Sequence, residues 1–126
     1  MAMLDKLADK EPVVRVLIVD DSAVVREVLK QLLESDSAIQ VVGMAADGEQ
    51  AVELTARLKP DLVTMDLIMP GMDGMEATRR IMAYHPTPVL FFSSYFGEGG
   101  AYSRNDAVAA GAVSYTHLTL PTTPYV

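Results

Sequence analysis

The chain reads as an open, doubly wound α/β fold around a parallel sheet, and three observations lead there. Short apolar runs rich in β-branched residues alternate with stretches of helical periodicity four times. The breaks between them fall at clusters of Gly, Pro, Asp and Ser. Two of the runs end in acidic residues, Val16-Leu17-Ile18-Val19-Asp20-Asp21 and Leu62-Val63-Thr64-Met65-Asp66. Parallel strands deliver such ends to one edge of the sheet, where ligands bind in this fold class.

In chain order, residues 1–12 form a polar lead-in, with one loose helical turn at most. Val13 to Val19 is a buried parallel strand, interrupted only by Arg15. Ser22 is placed to cap a helix with apolar positions at Val24, Val25, Val28, Leu29, Leu32 and Leu33. Ser35-Asp36-Ser37 ends it, and Ile39 to Ala45 is a second strand. Asp47-Gly48 turns into a second helix marked by Ala51, Val52, Leu54 and Leu58, which Pro60 stops. The strand Asp61 to Met65 follows. Met69-Pro70-Gly71-Met72-Asp73-Gly74 is a loop by composition. The third helix turns Met75, Ala77, Thr78, Ile81 and Met82 inward, and Pro86-Thr87-Pro88 breaks it. Val89 to Phe92 is a fourth strand ending in Ser93-Ser94. Gly97 to Gly100 is a loop, Asn105 to Ala110 is helical, and Gly111 is a helix stop.

With 126 residues, half of them apolar, the chain is one domain with a real core. A net charge of −7 argues against nucleic-acid binding by this segment. The absence of cysteine excludes a disulfide framework and a zinc–thiolate site. The first residues lack a signal peptide's apolar run, and no stretch reaches membrane-spanning length. These features suit a cytoplasmic protein with no membrane insertion.

The acidic edge carries the chemistry. Carboxylates crowded together repel unless a cation lies between them. Mg²⁺ takes hard oxygen ligands and needs only one or two carboxylates besides water and phosphate. Asp21 and Asp66 suit direct ligation, and Asp20 suits holding a metal-bound water. One carboxylate is then free to attack a phosphoryl group and form an acyl phosphate. Ser93, at the end of a neighbouring strand, is placed to hydrogen-bond that phosphate. Asp47 and Asp73 read as helix caps. Met65, Met69, Met72, Met75 and Met82 read as packing, and His85 as a surface residue.

Two segments carry a resemblance: Arg15-Val16-Leu17-Ile18-Val19-Asp20-Asp21-Ser22, and Pro60 through Gly74 with Asp66 inside it. Both resemble the corresponding motifs of the response regulator receiver domain, a flavodoxin-like fold, over residues 13–112. The resemblance implies a two-component signalling protein phosphorylated on aspartate by a histidine kinase. It makes Asp66 the phosphoacceptor and Asp20 and Asp21 the Mg²⁺ pair. It further implies the backbone carbonyl of Ile68 as a metal ligand, Ser93 as the switch hydroxyl, and Pro70 and Gly74 as shapers of the loop. The run from Arg79 to Val89, the opening Asp20 to Arg26, and Gln40 to Ala45 resemble the receiver of a chemotaxis protein-glutamate methylesterase. That implies a chemotaxis-type kinase as partner. It also implies chemoreceptors as partners of a hydrolase output domain, none of which is visible here.

The C-terminal part departs from this pattern. Ala107 to Val126 contains no charged residue. Leu118-Thr119 stands where the family has Lys-Pro, and leucine cannot bind a phosphoryl oxygen. Residues 113–122 resemble the translation of a transposase sequencing adapter. Residues 113–126 are therefore expected to be a non-native tail, with the receiver truncated before its genuine fifth strand and helix. Residues 113–120 are uncharged and Thr-rich enough to form a substitute strand. Without the last helix, one face of the sheet and part of the first helix should stay uncovered and the domain should be prone to aggregation.

Other readings remain at this stage. The receiver motifs are equally compatible with a parent that is a stand-alone or DNA-binding response regulator. A Mg²⁺-dependent phosphatase with an aspartate nucleophile on the first strand wants a second aspartate two residues later, where Ser22 stands. A flavodoxin-like redox carrier conflicts with acidic strand ends, which repel a flavin phosphate.

Overall fold

The computed structural model describes residues 12–93 and 114–117. Five strands and three helices are found there: β1 (Val14–Val19), α1 (Ala23–Glu34), β2 (Ile39–Ala45), α2 (Gly48–Leu58), β3 (Leu62–Asp66), α3 (Gly74–Tyr84), β4 (Val89–Ser93) and β5 (Ser114–His117). All strand pairs are parallel, in the order β2-β1-β3-β4-β5. The first step from β1 runs one way across the sheet and the later steps run the other way. The point of reversal lies between β1 and β3, which is where such sheets open a ligand crevice.

Right-handed crossovers place α1 on one face and α2 and α3 on the other. The packing agrees. Leu17, Val19, Val63, Met65, Val89 and Phe91 form one cluster with Ala51 of α2 and Met75, Ala77 and Ile81 of α3. Val52, Leu54, Leu58, Met72 and Met82 pack around it, so the expected inner faces of α2 and α3 hold. Burying such side chains contributes about 1.5–3 kcal/mol each. Val16 and Ile18, of opposite parity on β1, are also buried, and α1 lies against β1 and β2.

Each helix start follows from its cap. Ser22 Oγ accepts from the Val25 N–H at 3.2 Å, Asp47 Oδ1 from Gln50 at 2.8 Å, and Asp73 Oδ1 from Glu76 at 2.9 Å. Lys59 ends α2 in the left-handed region, φ 50°, immediately before Pro60. Arg15 explains its own intrusion into β1. Its guanidinium donates to the Lys59 and Leu58 carbonyls at 2.8 and 2.9 Å, satisfying the end of α2. Its backbone N–H meets Asp61 Oδ2 at 2.9 Å.

Helix α1 differs from its apolar pattern. It contains no buried residue, and Val24, Val28 and Leu32 are 73%, 50% and 63% exposed. The neighbouring line of Val25, Leu29 and Leu33 is half-buried, as are Arg26 and Lys30. The uncovered part of the first helix was expected, and among the described residues nothing packs on that stripe; the sheet face was expected to be uncovered too, but Val16, Ile18 and Thr64 are buried. A fifth strand does form within residues 113–120, as β5, with Phe91 in register with Tyr115 and Ser93 with His117. The lead-in, the helix expected at 105–110 and the Leu118-Thr119 pair lie outside the described residues.

Candidate metal and phosphoryl site

The three carboxylates do come together. Asp20 follows β1, Asp21 comes next, and Asp66 closes β3. One carboxylate oxygen from each lies within 4.8 Å of the others. The parallel pairing of β1 with β3, Val19 opposite Met65, produces this convergence. Asp20 is buried, Asp66 half-buried and Asp21 exposed, so the site opens to solvent on one side.

Asp20 is held at both ends. Its Oδ1 accepts from the Ser22 N–H at 2.9 Å, and its backbone carbonyl accepts from Arg26 Nη1 at 2.7 Å. Burial raises the Asp20 carboxyl above its ordinary 3.8. The Ser22 N–H pulls it down, Asp21 pushes it up, and Arg26 lowers it. Asp66 is pushed up to about 7, first by burial, then by the Asp20 charge and a hydrogen bond with Asp21. A hydrogen bond from the Ile68 backbone N–H opposes the rise.

The loop after β3 brings Asp66 against α3. Gly74 N–H donates to the Leu67 carbonyl at 2.9 Å. A Cβ on Gly74 would overlap the Asp66 carbonyl oxygen and crowd Leu67 Cα. Leu67 and Met69 are buried and Ile68 is exposed between them. This alternation anchors the loop on the core while its middle faces out. Ser93 sits at the carboxyl end of β4, one residue beyond Phe92, which is in register with Asp66. Its backbone position is the expected one, and its side chain lies outside the described atoms.

Arg26 is the residue of this site that the sequence reading assigned no role. The signal for it is a cation on the first turns of a helix that starts directly after two carboxylates. Asp47 and Asp73 cap helices, as expected, and His85 is exposed while its N–H closes α3 on the Ile81 carbonyl at 2.8 Å. Met65, Met69 and Met75 are core residues.

The donor set fits a hard divalent cation. It consists of carboxylate oxygens alone, and the raised Asp66 pKa reflects repulsion and desolvation that a cation relieves. Among the described residues no helix is long and apolar enough to cross a membrane.

Comparison with known proteins agrees with this geometry. Residues 16–117 match the response regulator receiver domain, a span that runs through β5. The chain is 54% identical over 101 residues to protein-glutamate methylesterase/protein-glutamine glutaminase 4 of Geobacter metallireducens, covering 80% of this chain and 29% of that protein. It is 48% identical over 102 residues to the corresponding enzyme of Pseudoalteromonas translucida, covering 81% and 26%. The chain thus spans less than a third of the length of these relatives. The response regulator domain of Thermotoga maritima CheB superposes with a TM-score of 0.78 at 47% identity, covering 83% of this chain and 78% of that one. A CheX-CheY-BeF3-Mg²⁺ complex from Borrelia burgdorferi matches with a TM-score of 0.78 at 31% identity, covering 90% and 84%. The chain belongs to the response regulator receiver domain family, and its receiver is like that of CheB.

Proposed function

We propose that this domain accepts a phosphoryl group on Asp66 from a histidine kinase of the chemotaxis type, with Mg²⁺ at Asp20, Asp21, Asp66 and the Ile68 backbone carbonyl. The observation that carries the reading is the convergence of three carboxylates from two adjacent strand ends. The Mg²⁺ in the similar Borrelia complex supports the choice of metal. When bound, the cation supplies positive charge that offsets the carboxylates and the phosphoryl oxygens.

The chain's own residues do the rest. A carboxylate oxygen of Asp66 attacks phosphorus, a P–O bond forms, and the donor's P–N bond breaks. The departing imidazole takes up a proton. Asp66 must be ionised to attack, so its raised pKa is a restraint on the metal-free site. The Ile68 N–H stabilises the ionised form. The Ser22 N–H keeps the Asp20 carboxylate from rotating away, and Arg26 holds the Asp20 backbone carbonyl. Ser93 is assigned the hydroxyl that hydrogen-bonds the new acyl phosphate.

The parent protein is proposed to be a cytoplasmic receptor-glutamate methylesterase, whose output domain meets chemoreceptors and lies beyond this segment. Residues 113–126 are proposed to be non-native, and the loss of charge after Asp106 supports this. Pairing with β4 needs only an uncharged, β-prone segment, so β5 is compatible with a foreign tail. Sequencing the source DNA across codon 112 tests it. Continuation into an aromatic residue and Lys-Pro supports the proposal, and the Thr/Pro-rich tail in genomic DNA removes it.

The functional test is incubation with Mg²⁺ and a small phosphodonor. The reading expects an acid-labile acyl phosphate that Asp66→Ala does not form. Equal labelling of that variant overturns the assignment.

A further inference from the structure

The outer edge of the sheet at β2 is unused by the phosphoryl site. β2 is the terminal strand beside β1. Its sequence, Ile39 to Ala45, carries no charge and no proline. An uncharged edge rich in β-branched residues is a template for pairing with another strand. Sheets ordinarily blunt such edges with charges or proline, and β2 supplies neither itself.

The outward backbone donors in the first half of β2 are nevertheless occupied. The Ile39 N–H donates to the Asp36 carbonyl at 3.0 Å, within the turn from α1. The Val41 N–H donates to Glu34 Oε2 at 3.0 Å. Glu34 is the last residue of α1, so its carboxylate reaches across from the helix end to the strand edge. It stands where the carbonyl of an added strand would stand, and an ionised acceptor makes a stronger bond than a neutral one. The β1 register also shifts between Val16 and Leu17, which leaves Val42 unpaired. Such a bulge bends an edge away from regular pairing.

We propose that Glu34 is a strand guard: its bond to the Val41 N–H keeps the β2 edge closed to antiparallel strand addition by a second copy of this chain. A second copy fits because two β2 edges related by a two-fold axis bring no like charges opposite each other. The guard works by occupying the donor. A side-chain oxygen at position 34 suffices, and a methyl group does not.

Sedimentation velocity over a concentration series tests this, with far-UV circular dichroism to confirm folding of each variant. Glu34→Ala should self-associate on the order of tenfold more tightly than the parent chain, the loss of one competing hydrogen bond. Glu34→Gln retains an acceptor and should match the parent. Adding Gln40→Lys to Glu34→Ala sets like charges at an exposed edge position, and should return association to the parent level. Parent-like association of Glu34→Ala overturns the proposal. So does tighter association that Gln40→Lys leaves unchanged, because that contact lies elsewhere, as on the exposed stripe of α1. Amide exchange on the unmutated chain checks the bond itself. Protection of the Val41 N–H supports the guard, and exchange at the rate of an open amide removes it.

Discussion

Gly74 lies directly against the backbone carbonyl of Asp66, leaving no room for a side chain. The first residue of α3 is thereby pressed on the last residue of β3, and the loop between them closes with the Gly74 N–H on the Leu67 carbonyl. Gly74→Ala must displace that loop. Overpacking of this kind costs about 1–3 kcal/mol. Chemical denaturation should show a loss of that order, and phosphodonor labelling of Asp66 should fall with it.

The raised pKa of Asp66 gives the metal-free domain a pH dependence of definite sign. In the unfolded chain the carboxyl titrates near 3.8, and in the folded domain near 7. Between these values the folded state binds more protons, so stability falls as pH rises from about 4 to 7. Asp20, also raised, acts in the same direction. Urea unfolding without metal should therefore show higher stability at pH 5 than at pH 8, and Asp66→Asn should reduce the difference. Protons compete with the cation for these carboxylates, so divalent-cation affinity should increase over the same range. A pH-independent affinity between 5 and 8 contradicts the assignment.

Arg15 joins the start of β1 to the end of α2 through two guanidinium hydrogen bonds, and its backbone N–H binds Asp61. Arg15→Ala leaves the Leu58 and Lys59 carbonyls without their side-chain donor. The expected loss is about 1–2 kcal/mol, because these bonds involve a charged group but are partly solvated. Thermal unfolding measures it, and labelling of Asp66 at a temperature where the variant is folded should be unchanged.

The exposed Val24, Val28 and Leu32 form a stripe at four-residue spacing on α1. Replacing all three with glutamine removes apolar surface that nothing described covers. Solubility should rise and light scattering on heating should fall. Stability should change by no more than about 0.5 kcal/mol per site, as for other surface positions. A larger loss at any of the three shows that the stripe is packed in solution.

Much of this architecture is legible in the residues themselves. Apolar runs ending in Asp20-Asp21 and Asp66 locate two strands and the edge they share. Turn residues separate the elements, and Ser22, Asp47 and Asp73 mark the caps. The pattern of α1 is legible only in part. Periodicity says that Val24, Val28 and Leu32 lie near Val25 and Leu29, but not which line of them meets the sheet. Several side-chain contacts were not readable either. Arg15 with Lys59 lies 44 residues apart in the chain, while Arg26 with Asp20 and Glu34 with Val41 depend on how the turns at the two ends of α1 aim a side chain. Gly74 reads as a loop residue in sequence, and only the close approach of Asp66 explains why a side chain is excluded there.

Chemical trapping of the phosphorylated residue tests the central claim most directly. Borohydride reduces an aspartyl phosphate to homoserine, which peptide mass spectrometry locates after labelling with Mg²⁺ and a small phosphodonor. The account predicts homoserine at position 66 and unmodified aspartate at 20 and 21. Trapping at Asp20 or Asp21, or no Mg²⁺-dependent trapping at all in the folded protein, contradicts it.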